Sequence, residues 1–264
     1  MRINFDEGFQ FGWGAFETIA IKNGTALFLD EHLVRLKLAL DFLGITNFPI
    51  KHDIQSYIMS NNLREHALKI IVSKDNIVFS HRNIPYKPYD VNIGFDLSYG
   101  ALIHDANSPF ARHKTLSRGE YQYEFLAAKQ KGAQDHILLN NRGEICETTT
   151  ANIFFVTDNM IMTPPDSSGL LKGIIRDLIL HDSAFEQFST SEQIITPGDI
   201  IQYNECFITN SLMGVRPVRA IGETRFNLGC QSLTARVARI YEAATIQASG
   251  QSRDFSRDKI VLKQ

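Results

Sequence analysis

The chain has only three cysteines, Cys146, Cys206 and Cys230, far apart and in no Cys-x-x-Cys pair. An odd number at such spacing gives neither a disulfide framework nor a zinc site, so reduced, buried thiols, no metal and a cytoplasmic protein are expected. Charge of one sign is also scarce, with 27 Lys and Arg against 29 Asp and Glu for a net −2. No broad basic surface is left for a polyanion, which argues against nucleic acid as a partner while leaving room for a local basic pocket. No apolar run reaches the roughly 18 to 20 residues of a membrane helix, because a charged residue or a histidine interrupts each one. The carboxylates of Asp6 and Glu7 stand where a secretory signal would carry its apolar core, so no membrane association and no export by that route are expected. Repeats and low-complexity segments are missing too.

What is present is an ordinary globular composition, 44% hydrophobic and 21% charged over 264 residues, enough for one large or two modest domains at about 150 residues each. Phe16 to Ile21 reads as a strand, and Asn23-Gly24 as a hairpin turn into Ala26-Leu27-Phe28. Asp30 is a candidate N-cap for a helix whose stripe is Leu33, Leu36, Leu40 and Leu43 and whose stop is Gly44. A second helix is expected over 53–59, then strands at 68–73 and 77–80 about the turn Lys74-Asp75-Asn76, and another strand over 91–97. The stretch 99–113 has no period and reads as a connector.

Ser117 to Glu120 has the spacing of a capping box opening a helix that stops at Gly132. Strands follow at 136–139, 152–156 and 160–163, then a helix from Gly173, strands near Ile194, Ile200 and Phe207, and an amphipathic helix carrying Leu233, Val237, Ile240 and Tyr241. The division expected is a small N-terminal α+β domain over 1–105, a connector over 106–113 and a larger domain over 114–264.

Four local features can carry chemistry. Arg35 flanks the leucine stripe of its helix, where it can reach into a cleft or lie solvated on the surface. Lys114 lies in the basic cluster Arg112-His113-Lys114; desolvated beside other cations, its amine would be partly neutral and nucleophilic. Glu147 precedes a run of hydroxyls, Thr148-Thr149-Thr150, and an apolar strand, where a carboxylate could hold a cationic ring nitrogen. Gly173 enters a helix whose first N–H groups are free at the positive end of the dipole, where a phosphate could bind. Each feature also has an ordinary structural reading.

Their order resembles that of the class IV, or fold type IV, pyridoxal-phosphate enzymes. The resemblance runs through Phe11-Gly12-Trp13-Gly14-Ala15-Phe16-Glu17-Thr18, His32-Leu33-Val34-Arg35-Leu36, Lys114-Thr115-Leu116, Glu147 to Phe154, Gly173 to Asp177, and Thr209 to Val218. It implies a two-domain α/β (α+β) fold with a barrel-like C-terminal domain, pyridoxal 5'-phosphate in the cleft between domains, and a homodimer. It also implies that Lys114 holds the cofactor covalently and moves protons, and that Glu147 sits on the pyridine nitrogen. Arg35, the amides of Ile174 and Ile175, and Ser211 would hold the phosphate.

Within the family, Asn210 to Val218 and an arginine at 118 look most like 4-amino-4-deoxychorismate lyase, which eliminates pyruvate to give 4-aminobenzoate for folate synthesis. An aminotransferase of D- or branched-chain amino acids is the alternative, and a cofactor-binding protein without turnover the third. Arg118, Arg112 and Arg216, with Arg82 and His104, are the candidate binders of substrate carboxylates. The turn between the paired strands, often glycine- and arginine-rich in the family, is here Lys74-Asp75-Asn76.

Overall fold

A computed structural model describes residues 2–250; the polar tail, left open by the sequence, lies outside them beyond Gly250. The elements are α1 (Glu7–Phe11), β1 (Gly14–Lys22), β2 (Thr25–Ala26), α2 (Leu29–Phe42), α3 (Lys51–Ser60), β3 (His66–Ser73), β4 (Ile77–Asn83) and β5 (Phe95–His104). They continue as α4 (Gly119–Gln130), β6 (Asp135–Asn140), β7 (Ile145–Thr148), β8 (Asn152–Thr157), β9 (Met160–Thr163), α5 (Ile174–His181), β10 (Ser189–Glu192), β11 (Glu205–Asn210), β12 (Gly214–Ile221), β13 (Thr224–Arg225) and α6 (Leu233–Gly250). None of the described helices is long and apolar enough to cross a membrane.

The first sheet is antiparallel, in the order β2-β1-β3-β4. Strand side chains alternate between faces, and here the alternation divides core from site. Ile19, Ile21, Leu68 and Ile70 bury one face against Leu33, Leu36 and Leu40 of α2, while Phe16, Thr18, Lys69, Ser80 and Arg82 line a cavity on the other. Helix α2 starts earlier than the sequence suggests: its N-cap is Phe28, in a left-handed conformation, and Asp30 lies in the first turn. Gly44, at φ 68°, ends it in the left-handed conformation that glycine adopts without strain.

The second sheet runs β10-β9-β8-β11-β12-β5-β6-β7, with β13 on the flank of β12, and curls into a half-barrel. Two aromatic rows pack its faces: Phe155 with Tyr203 and Phe226 on one side, and Phe154 stacked on Phe207 under α5 and α6 on the other.

Five expectations need correction. Phe95–His104 is one strand, parallel to both β12 and β6, so the second sheet begins at 95 and the connector does not start at 99. The register slips between Tyr99 and Ile103, and a bulge of this kind breaks the two-residue period that identifies a strand. Ser117 and Glu120 form no capping box: Arg118 is the N-cap of α4, and Ser117 donates to the carbonyls of Phe11 and Gly12. Ile200 lies in a short 3-10 turn, and the strand expected near Ile194 is Ser189–Glu192. Cys230 is exposed, unlike Cys146 and Cys206.

Candidate active site

A cavity of about 1080 Å³ opens between the two sheets, and Arg35, Lys114, Glu147, Ile174, Ile175 and Ser211 all line it. Lys114 is fastened to β1. Phe16 N donates to Lys114 O (3.0 Å), Leu116 N donates to Gly14 O (2.8 Å), and Thr115 bridges Ala15. The lysine ammonium stands 4.8 Å from the centre of the Phe16 ring. Burial, followed by the guanidinium groups of Arg118 and Arg35, pulls its pKa down to about 7 against the opposing pull of Glu17 and Glu147. An amine near that value is largely neutral just above neutral pH, which a nucleophilic lysine requires.

Glu147, on β7, is 4% exposed. Its carboxylate accepts from Tyr121 Oη (3.3 Å), Asn152 Nδ2 (3.4 Å) and Leu171 N (3.3 Å). Burial nonetheless raises its pKa to about 7, with Arg118 the foremost opposing influence. Beneath it, Asp135 accepts from the hydroxyls of Thr148, Thr149 and Thr150 and from the amides of Thr149 and Thr150. The turn after Glu147 is therefore fixed by one buried carboxylate. The sequence reading missed Asp135, although the buried hydroxyls of Thr148 and Thr149 need acceptors.

At the other end, Arg35 donates through Nε and Nη2 to Glu17 (2.8 and 2.7 Å) and through Nη1 to Lys172 O (2.9 Å). His32 Nδ1 meets the same Glu17 carboxylate at 2.7 Å. Arginine has five N–H donors, so Arg35 is aimed while one N–H on each terminal nitrogen stays available. Nearby, α5 has Gly173 as its N-cap and no side chain capping it, which leaves its first amides free. Thr209 Oγ1 is buried and, among the described residues, has no hydrogen-bond partner, on the same cavity wall as Ser211. A free helix start, an oriented arginine and two hydroxyls fit a phosphate. A lowered lysine and a buried carboxylate fit the aldehyde and ring nitrogen of pyridoxal phosphate.

The candidate carboxylate binders separate. Arg82, Arg118 and Arg216 line the cavity. Arg112 ends the exposed turn Pro109–Arg112 outside its lining, and His104 is buried behind Tyr121, ring centres 4.8 Å apart. Arg118 lies over the Tyr121 ring at 3.5 Å, and among the described residues Arg216 donates only to Lys87 O (2.8 Å). Lys69, which the sequence reading passed over, joins them from β3, 4.5 Å from the Phe16 ring centre. Asn152 and Tyr121 were likewise assigned no role from sequence.

The sequence model of the family "Amino-transferase class IV" matches residues 14–221. An aminodeoxychorismate lyase of Vibrio harveyi is 26% identical over 258 residues, covering 88% of this chain and 92% of that protein. A D-alanine aminotransferase of Bacillus licheniformis is 25% identical over 235 residues, covering 83% of each. In fold, the chain is similar to the branched-chain aminotransferase of Thermoproteus uzoniensis, with a TM-score of 0.81 at 20% identity, over 94% of this chain and 91% of that one.

Proposed function

The chain belongs to the class IV aminotransferase family, whose members depend on pyridoxal phosphate, and from that premise we propose that it is a 4-amino-4-deoxychorismate lyase. The observation that carries this reading is the charge of the cavity. Lys69, Arg82, Arg118 and Arg216 face it, and among the described residues none of them forms an ion pair with a carboxylate. The lyase substrate is a ring with two carboxylates, and such a cationic wall offers partners for both. A branched-chain amino acid has one carboxylate and an apolar side chain, which would favour an apolar wall.

In this reading Lys114 would hold the cofactor covalently, remove the proton from the ring carbon that bears nitrogen, and pass a proton to the departing enolpyruvate, which becomes pyruvate. Bound pyridoxal phosphate supplies an electron sink for the pair that this proton leaves behind. Glu147 keeps a proton on the ring nitrogen, and Arg35, the amides of Ile174 and Ile175, and Ser211 hold the phosphate. Loss of enolpyruvate from the neighbouring carbon gives pyruvate and an aromatic product, 4-aminobenzoate. The reading includes a cytoplasmic homodimer, for which exposed Phe5, Phe9 and Phe11, at 73%, 71% and 71%, are the supporting surface.

The test is to incubate the holoenzyme with aminodeoxychorismate and, separately, with D- and branched-chain amino acids plus 2-oxoacids. The lyase reading expects 4-aminobenzoate from the first and little amino transfer in the second. The opposite pattern assigns an aminotransferase.

A further inference from the structure

The start of α4 joins the lysine and the carboxylate of the site. Arg118 is the N-cap and Tyr121 lies three residues on, a spacing that puts both side chains on one side of a helix. The guanidinium covers the Tyr121 ring at 3.5 Å, close enough for a cation–π contact. His104 closes on the same ring edge-on at 4.8 Å. From this sandwich the phenol reaches β7 and donates to Glu147 Oε1. Oε2 takes the donors Asn152 Nδ2 and Leu171 N, so among the described residues Tyr121 is the one donor on Oε1.

We propose that Tyr121 is a positioning residue, which fixes Glu147 as a hydrogen-bonded carboxylate facing the cofactor's ring nitrogen and holds Arg118 beside Lys114. The proposal rests on the role given to Glu147 above. Its physical basis is that a buried carboxylate stays charged only as far as donors and cations compensate its lost hydration. The groups facing Glu147 are Tyr121 and Arg118 at the start of α4 and Lys114 from the segment before it, while the thiol of Cys146, next to it on β7, points to Ser168 O. Burial and Glu147 itself push the Tyr121 phenol well above its ordinary range, so it remains a donor throughout the working pH range. With Glu147 titrating at about 7, one hydrogen bond more or less changes its charge at neutral pH.

The experiment is a carbon-13 titration of Glu147 in the full chain, with and without pyridoxal phosphate, its resonance assigned by Glu147→Gln. Tyr121→Phe keeps the ring beneath Arg118 and removes only the donor. It should raise the Glu147 midpoint by on the order of one pH unit. In the holoenzyme, kcat at pH 7 should fall about fivefold, recover towards pH 9, and leave KM unchanged. Difluorotyrosine at 121, a stronger donor, should lower the midpoint. In a Glu147→Gln background, Tyr121→Phe should have no further effect.

An unmoved midpoint, or an equal loss of kcat in the Glu147→Gln background, would overturn the proposal. If the chain turned over no tested substrate, the titration would still decide the Tyr121–Glu147 link separately from the lyase reading.

Discussion

A methyl group added at Gly173 would lie 1.9 Å from Asn152 Oδ1. The backbone entering α5 therefore touches a side chain that also donates to Leu171 O (2.8 Å) and to Glu147. Gly173→Ala must displace Asn152, the free amides of Ile174 and Ile175, or both. Pyridoxal phosphate affinity, followed by fluorescence titration of the apoprotein, should fall tenfold or more, as expected for losing a charge-assisted contact of about 1.5 to 3 kcal/mol. An unchanged affinity would show that the α5 start is not the phosphate site.

Arg35→Ala should weaken the cofactor by roughly tenfold to a hundredfold, on the same reasoning. Glu17→Gln should weaken it less, because it loosens the aim of Arg35 without removing the charge. Equilibrium dialysis of both variants checks this order, and a larger effect of Glu17→Gln would contradict it.

Lys114 should be the residue fixed to the cofactor by borohydride reduction. Because its pKa lies at about 7, the rate of covalent capture by apoprotein should rise through pH 7 and then level off. An ordinary lysine would keep gaining up to about pH 10.4. Peptide mapping of the reduced protein and stopped-flow capture rates across pH 6 to 10 provide the check, with Lys114→Ala showing no capture.

The same two groups act on stability in opposite directions. Glu147 titrates at about 7 in the fold against an ordinary 4.5, so across that window the folded state holds a proton that the unfolded chain has lost. Its contribution to stability falls as pH rises from 4.5 to 7. Lys114 titrates at about 7 against an ordinary 10.5, so there the unfolded chain holds the extra proton and stability rises with pH. Relative to wild type, Glu147→Gln apoprotein should gain melting temperature as pH rises through the lower window. Lys114→Met should show its greatest relative gain below pH 7, fading through the upper window. Parallel curves for wild type and variants would contradict the burial assigned to the pair.

How far the sequence was legible follows from where its signals were local. The hairpin of β1 and β2 and the stripe of α2 were readable because Asn23-Gly24 and the leucines at 33, 36 and 40 express turn chemistry and helical period directly. Of β5, only the start fell within the strand expected over 91–97; the rest was hidden because its bulge and mixed exposure erase alternation over Tyr99 to His104. The capping box failed because tertiary contact takes Ser117 out of the cap: its hydroxyl donates to the carbonyls of Gly12 and Phe11, 105 and 106 residues away, and Arg118 becomes the N-cap. That shift brings Arg118 and Tyr121 together.

Lys114, Glu147 and Arg35 were legible through motif order. Asp135, Asn152, Thr209 and Lys69 were not, since their roles depend on partners that only the folded sheets bring near. Arg112 stood beside Arg118 among the candidate carboxylate binders, yet the turn Pro109–Arg112 leaves it on the surface.

On the proposed reading, the cationic cavity serves elimination from a dianionic ring. The most direct test is a single turnover of holoenzyme with aminodeoxychorismate, monitoring pyruvate by coupled assay and the cofactor by absorbance. The prediction is one equivalent of pyruvate per site while the cofactor returns to its aldehyde form. Stoichiometric pyridoxamine phosphate from D-alanine or a branched-chain amino acid, with no pyruvate from aminodeoxychorismate, would contradict it.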